Sequence, residues 1–165
     1  MTRSTKDQLG GQNVAAFLDM LAASEIGPAL LSESDDGYNV LVGSTPSHPL
    51  LFTDYSHHPN VFNQACDSTA AGRYQLLHRY AIAYIASLNL PDFSPISQDA
   101  IAVRQIKERG ALPHIIAGNF AVAVQLCSNI WASLPGNNYG QHANSLTMLQ
   151  AAYVAAGGTL SEGST

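Results

Sequence analysis

Apolar and polar positions alternate with a helical rhythm along most of this chain. The run Ala15-Ala16-Phe17-Leu18-Asp19-Met20-Leu21-Ala22-Ala23-Ser24-Glu25 predicts a first helix that closes at Glu25, ahead of Ile26-Gly27-Pro28. Ser68-Thr69 followed by Tyr74, Leu77, Tyr80, Ala81 and Tyr84 predicts a second helix, with Ala71-Gly72-Arg73-Tyr74-Gln75 opening it and Leu88-Asn89 ending it. Ser94-Pro95 supplies an N-cap and a proline at N1 for a strong helix to Arg109, with Gly110 at C′. Further helices are predicted over 113–117, 119–130 and 145–155. Residues 38–42, bounded by Gly37 and Gly43, and 50–53 predict two paired strands. Residues 1–11 read as a loose leader, 28–36 as an acidic serine-containing loop, 54–67 as irregular, and 159–165 as a flexible tail. The chain shows no internal repeat and no linker. These elements predict one domain over 1–165 of α+β class, mostly helical, with a small β element beside the first helix.

Composition narrows the function. Apolar residues make up 46% of the chain and charged residues 12%, a globular balance that excludes a disordered chain. A net charge of −5 without a basic patch argues against a nucleic-acid partner. It also leaves any anionic polymer to be held by short-range contacts. No run approaches the roughly 20 apolar residues of a membrane span, and the polar start lacks an export-signal layout, so the expectation is a protein without a membrane span, made in the cytoplasm. Cys66 and Cys127 form no CxxC; free thiols are favoured and a disulfide stays open. His57-His58 with Cys66 matches no zinc spacing, so no metal is expected, and no cofactor is predicted.

Glu25 is the residue with the clearest chemical meaning. At about 100° per residue it lies within about 20° of Leu18 and about 40° of Leu21, on the face that enters the core. Desolvation there favours the protonated carboxyl, the state a general acid needs to cleave a glycosidic bond. A helix-terminal Glu turned to solvent is the plainer alternative.

Several strings weigh against the plainer alternative. Ala16-Phe17-Leu18-Asp19-Met20-Leu21-Ala22 leads into Ser24-Glu25. Gly37-Tyr38-Asn39-Val40-Leu41-Val42-Gly43, Phe52-Thr53-Asp54-Tyr55-Ser56 and Ser68-Thr69-Ala70-Ala71-Gly72-Arg73-Tyr74-Gln75-Leu76-Leu77 follow. Then come Gln105-Ile106-Lys107-Glu108-Arg109-Gly110-Ala111-Leu112-Pro113, Cys127-Ser128-Asn129-Ile130-Trp131-Ala132-Ser133-Leu134-Pro135-Gly136 and Tyr139-Gly140-Gln141. In this order, over about residues 14–158, the chain resembles the bacteriophage lambda endolysin family. The departures include Ile26-Gly27 after the acid, where the family usually has Gly-Thr, and His57 where it often has Asp.

The resemblance implies a lysozyme-like fold. It also implies a lytic transglycosylase that cuts the β-1,4 bond between N-acetylmuramic acid and N-acetylglucosamine in peptidoglycan and leaves 1,6-anhydro ends. It places the catalytic acid at Glu25. It implies a monomer that waits in the host cytoplasm until a phage holin gives it access to the wall, whose glycan strands are its partner. Substrate contacts are expected from Tyr38, Tyr55, Ser56, Gly72, Arg73, Gln75, Trp131, Tyr139 and Gln141. As residues read singly, Tyr38, Tyr55 and Trp131 are equally at home in packing, and Arg73 in a surface ion pair. Two alternatives stay open: a muramidase using Asp54 or Asp36 as second carboxylate, and a catalytically silent peptidoglycan-binding protein.

Overall fold

The computed structural model describes residues 2–136 and 143–161. Among the described residues the order is α1 (Lys6–Leu9), α2 (Gln12–Glu25), α3 (Pro28–Ser32), α4 (His78–Leu88), α5 (Pro95–Glu108), α6 (Leu112–Ile116), α7 (Phe120–Cys127) and α8 (Leu146–Ala155). The chain forms two compact units. Unit 1 comprises Met1–Arg3 with Ile26–Ile101, and unit 2 comprises Ser4–Glu25 with Ala102–Thr165.

Unit 2 is built around α2. Val14 through Leu18, Met20, Leu21 and Ala22 are all buried, so the helix is surrounded rather than amphipathic. It packs against α8, α1 and α6. Phe17 meets Phe120 edge-on with ring centroids 6.2 Å apart, and Phe120 lies 4.9 Å from Tyr153. The leader is more ordered than its composition suggested. Thr5 and Gln8 close a reciprocal capping box on α1, which satisfies two otherwise orphaned N–H groups. The start of the tail is also held. Asn13 Oδ1 accepts from Thr159 N at 3.0 Å, and Ser161 N donates to Gly118 O at 3.0 Å.

Unit 1 carries the β element. Leu41 N donates to Leu50 O and Phe52 N to Asn39 O, which pairs the two expected strands antiparallel across Val40 and Leu51. A third segment was not expected. Val42 N donates to Ala70 O and Gly72 N to Val40 O, so residues 70–72 join the ladder. They turn back through an Ala71–Leu76 bridge.

The helix expected from Ser68 is therefore corrected, because it begins only at His78. Gly72 at φ +81° and Gln75 at φ +48° hold the left-handed backbone of a tight turn, which an α-helix cannot propagate. Thr69 Oγ1 instead accepts from His78 N at 3.2 Å and satisfies the start of α4 from outside it. The loop expected over 28–36 likewise contains α3, with Pro28 at its first turn. The unit's core is Tyr38, Phe52, Tyr55, Ala71, Leu76, Ala81, Phe93 and Ile101.

Candidate active site

Glu25 is the last residue of α2. That position follows from packing: an apolar helix fixes where its final side chain emerges. The site is unfavourable for a negative charge on two counts. The carboxyl is half-buried, and it stands at the negative end of a helix whose last turn holds no basic residue. Burial pushes the Glu25 carboxyl above the ordinary carboxylate range, with the hydrogen bonds from Ser133 pulling the other way.

Ser133 Oγ donates to Oε1 at 2.5 Å, and Ser133 N reaches the same oxygen at 3.4 Å. Both donors are neutral. The turn that carries them is pinned by Trp131 and Leu134, which are 3% and 0% exposed and so leave Ser133 little freedom. Leu134 N donates to Trp131 O at 3.1 Å. Behind Ser133, Ser24 Oγ donates to Ser133 Oγ at 2.7 Å, and Asn144 Nδ2 donates to Ser24 Oγ at 3.0 Å. Reading the sequence for candidates missed Ser24, Ser133 and Asn144. The signal for two of them was present, since Ser24-Glu25 and Trp131-Ala132-Ser133 lie inside the strings that carried the resemblance.

The candidate sugar-binding residues of unit 1 are engaged within that unit. The Tyr38 hydroxyl donates to Asp99 Oδ1 at 2.8 Å, and the Tyr74 hydroxyl reaches the same oxygen at 2.6 Å. Burial, then the Asp99 charge, raises both phenols, so they stay protonated as donors. Arg73 is buried, lies over the Tyr38 ring at 5.1 Å and pairs with Asp36 at 2.7 Å.

Gly72 leaves room for Gln98, whose Oε1 accepts from Arg73 N at 3.0 Å. The Gln98 amide donates to Tyr38 O and Phe93 O at 3.0 and 2.9 Å. Gln75 donates to Gly72 O at 2.9 Å, and the Tyr55 hydroxyl to Asp35 at 2.8 Å. Ser56 is exposed; its N donates to Asp54 Oδ1 at 2.8 Å, and its Oγ lies 2.8 Å from His57 Nδ1. Trp131 is core in unit 2. Tyr139 and Gln141 lie outside the described residues.

A concavity of about 500 Å³ in unit 1 is lined by His57, His58, Asn60, His78 and Ile82 among others, and Glu25 is not part of it. Cys66 and Cys127 are both free thiols, the first exposed and the second buried. Among the described residues no group of three or more His, Cys, Asp or Glu could hold a metal ion. No helix among them is long and apolar enough to cross a membrane.

Known structures share this architecture. Bacteriophage lambda lysozyme complexed with a chitohexasaccharide is 48% identical, with a TM-score of 0.80 over 97% of this chain and 99% of that one. A second structure of lysozyme from bacteriophage lambda gives 47% identity and a TM-score of 0.77 over the same shares. The fold is thus lysozyme-like. A family model described as endolysin matches residues 15–160. The endolysin of Escherichia phage lambda is 52% identical over 151 residues, 89% of this chain and 92% of that protein. The endolysin of Escherichia phage P2 is 48% identical over 155 residues, 89% of this chain and 94% of that protein. The chain belongs to the endolysin family, the enzymes with which phages lyse host peptidoglycan.

Proposed function

We propose that this endolysin cleaves the MurNAc-β-1,4-GlcNAc bond as a lytic transglycosylase with Glu25 as its single catalytic carboxyl. One observation carries the reading: a carboxyl held above its ordinary range by burial, with neutral donors from Ser133 beside it. Such a group is protonated before the reaction and can hold a charge during it. Glu25 protonates the leaving glycosidic oxygen as the bond to C1 breaks. The Glu25 carboxylate, now a base, then takes the proton of the muramic sugar's own C6 hydroxyl, whose oxygen closes onto C1 to give the 1,6-anhydro product. The attacking group is already part of the substrate, so a high effective molarity replaces an activated water.

The state of the other candidate carboxylates favours this over hydrolysis with a second acid. Asp36 is paired with Arg73 and Arg3, and Asp35 accepts the Tyr55 hydroxyl. Asp54 is exposed and caps the backbone at Ser56, whose bonds hold its carboxyl below the usual range. The chitohexasaccharide in the lambda lysozyme complex supports a glycan strand as the substrate here.

Mass spectrometry of muropeptides released from purified peptidoglycan tests the reading. Products one water lighter than hydrolytic fragments, released by the wild type and absent with Glu25→Gln, are expected. Hydrated products would replace transglycosylation by hydrolysis and turn attention to Asp54.

A further inference from the structure

Four polar side chains of unit 2 form a chain with a fixed direction. Asn144 Nδ2 donates to Ser24 Oγ at 3.0 Å, Ser24 Oγ to Ser133 Oγ at 2.7 Å, and Ser133 Oγ to Glu25 Oε1 at 2.5 Å. An amide nitrogen has only protons to give, so Asn144 sets the orientation of each hydroxyl after it. The backbone clamps the same groups, since Asn144 N donates to Ser133 O at 2.8 Å and Asn144 Nδ2 reaches Ser24 O at 3.4 Å. At the end of the chain Oε1 faces both Oγ and N of Ser133 and must offer them lone pairs. The proton of the neutral carboxyl then belongs on Oε2.

We propose that Asn144, Ser24 and Ser133 are positioning residues, a one-way hydrogen-bond chain that reserves Oε2 of Glu25 as the oxygen that gives up and recovers the proton. This rests on the reading of Glu25 as the acid. In the first half of the reaction the Oε2–H bond breaks and its proton goes to the leaving oxygen. The carboxylate charge that results is shared with Oε1, where the two Ser133 donors already point. In the second half Oε2 takes the C6 hydroxyl proton, and the starting state is restored.

Among the described residues no charged partner competes for this role. The 128–136 turn and α8 carry no charged side chain. Lys6 and Asp7 on α1, His114 on α6 and Asp19 on α2 itself make no hydrogen bond or ion pair to Glu25 among the described residues.

Rates of peptidoglycan solubilisation across pH, with melting curves on each protein, test the chain. Ser133→Ala is expected to lower kcat about 10- to 100-fold, the loss of a hydrogen bond to a charged group, with KM little changed. Its alkaline limb should move to higher pH, because the lost donor had favoured the ionised carboxyl. Ser133→Thr should restore both. Ser24→Ala should lower kcat about 3-fold, with a shift of the same sign. A Ser133→Ala protein with wild-type kcat and alkaline limb would overturn the chain, provided Glu25→Gln is inactive. Should Ser133→Ala not fold, an unaltered kcat and pH profile in Ser24→Ala would overturn it equally. An active Glu25→Gln would instead overturn the assignment of the acid itself.

Discussion

Asp99 in unit 1 and Glu25 in unit 2 are both carboxyl groups drawn away from water, and their surroundings make opposite use of them. Asp99 is fully buried and accepts two tyrosine hydroxyls on one oxygen. The nearby Arg73 is buried too and paired with Asp36. Unit 1 thus gives Asp99, Tyr38, Tyr74 and Arg73 dedicated partners, which fixes a network in place. Glu25 is only half-buried, and among the described residues its hydrogen bonds come from the Oγ and N of one serine. A wholly buried acid held by two rigid tyrosines is an anchor, whereas a half-buried one at a helix C-terminus, raised above its ordinary range, keeps a proton it can exchange.

The sharpest way to break this contrast is to remove each carboxyl in turn. Glu25→Gln should lower lytic activity by about 10³-fold or more, since it deletes the only proton donor assigned to the reaction, while the melting temperature holds or rises. Turbidity loss of outer-membrane-stripped cells and a thermal melt read both quantities. Asp99→Leu should do the reverse and destabilise unit 1 by about 3–5 kcal/mol, because two buried hydroxyls lose their acceptor. Asp99→Asn keeps an acceptor oxygen and should cost about 1–2 kcal/mol. Urea unfolding measures both, and a Glu25→Gln protein that unfolds as easily as Asp99→Leu would erase the distinction.

Gly72→Ala comes next. Its backbone stands at φ +81°, and a Cβ there would strike the Gln98 side-chain amide. A loss of about 2 kcal/mol is expected from the backbone conformation and the displaced amide together. Full wild-type stability would mean that the Gln98 stitching of Tyr38 and Phe93 contributes little.

These residues also show what the chain's order of amino acids made legible. Periodicity located α2 and its end, because a helix buried on nearly every side still starts and stops at recognisable residues. β-prone residues, bounded by Gly37 and Gly43 in the first case, placed the segments 38–42 and 50–53 that the structure pairs through the Val40–Leu51 bridge. Periodicity misread 68–77, where Tyr74 and Leu77 fall at helical spacing but lie in a turn and the approach to α4. Two left-handed residues, one of them a glutamine, decide that turn, and no periodic pattern reports them. Glu25 was legible because it lies on an apolar face. Ser133 lay inside a string that carried the resemblance, but its role and that of Asn144 were not legible, since they meet Glu25 and Ser24 through contacts more than 100 residues apart along the chain. Tyr38 and Arg73 stood out for their chemistry, yet that chemistry serves a network whose centre, Asp99, lies in a helix whose pattern gave no hint of it.

The smallest predicted effect compares two pH slopes of opposite sign. The folded Glu25 carboxyl binds its proton more tightly than the unfolded one, for which the ordinary value is 4.5. Between 4.5 and the raised folded value the native state therefore holds more protons, so stability falls as pH rises through that window. His58 behaves the other way. It is buried, with Nε2 bonded to Leu76 O at 2.8 Å and Nδ1 accepting from Asn60 N at 3.1 Å, so its ring is neutral. Burial lowers its affinity for a second proton from the ordinary 6.5. Stability is therefore lost as pH falls below about 6.5 toward the lowered value. Each tenfold difference in proton affinity corresponds to about 1.4 kcal/mol. Urea unfolding from pH 4 to 8 should show that Glu25→Gln removes a loss of stability as pH rises above 4.5, and that His58→Gln removes a loss as pH falls below 6.5. If Glu25→Gln left the slope above pH 4.5 unchanged, the carboxyl would not be held above its ordinary range, and the exchangeable proton that sets Glu25 apart would be lost to the comparison.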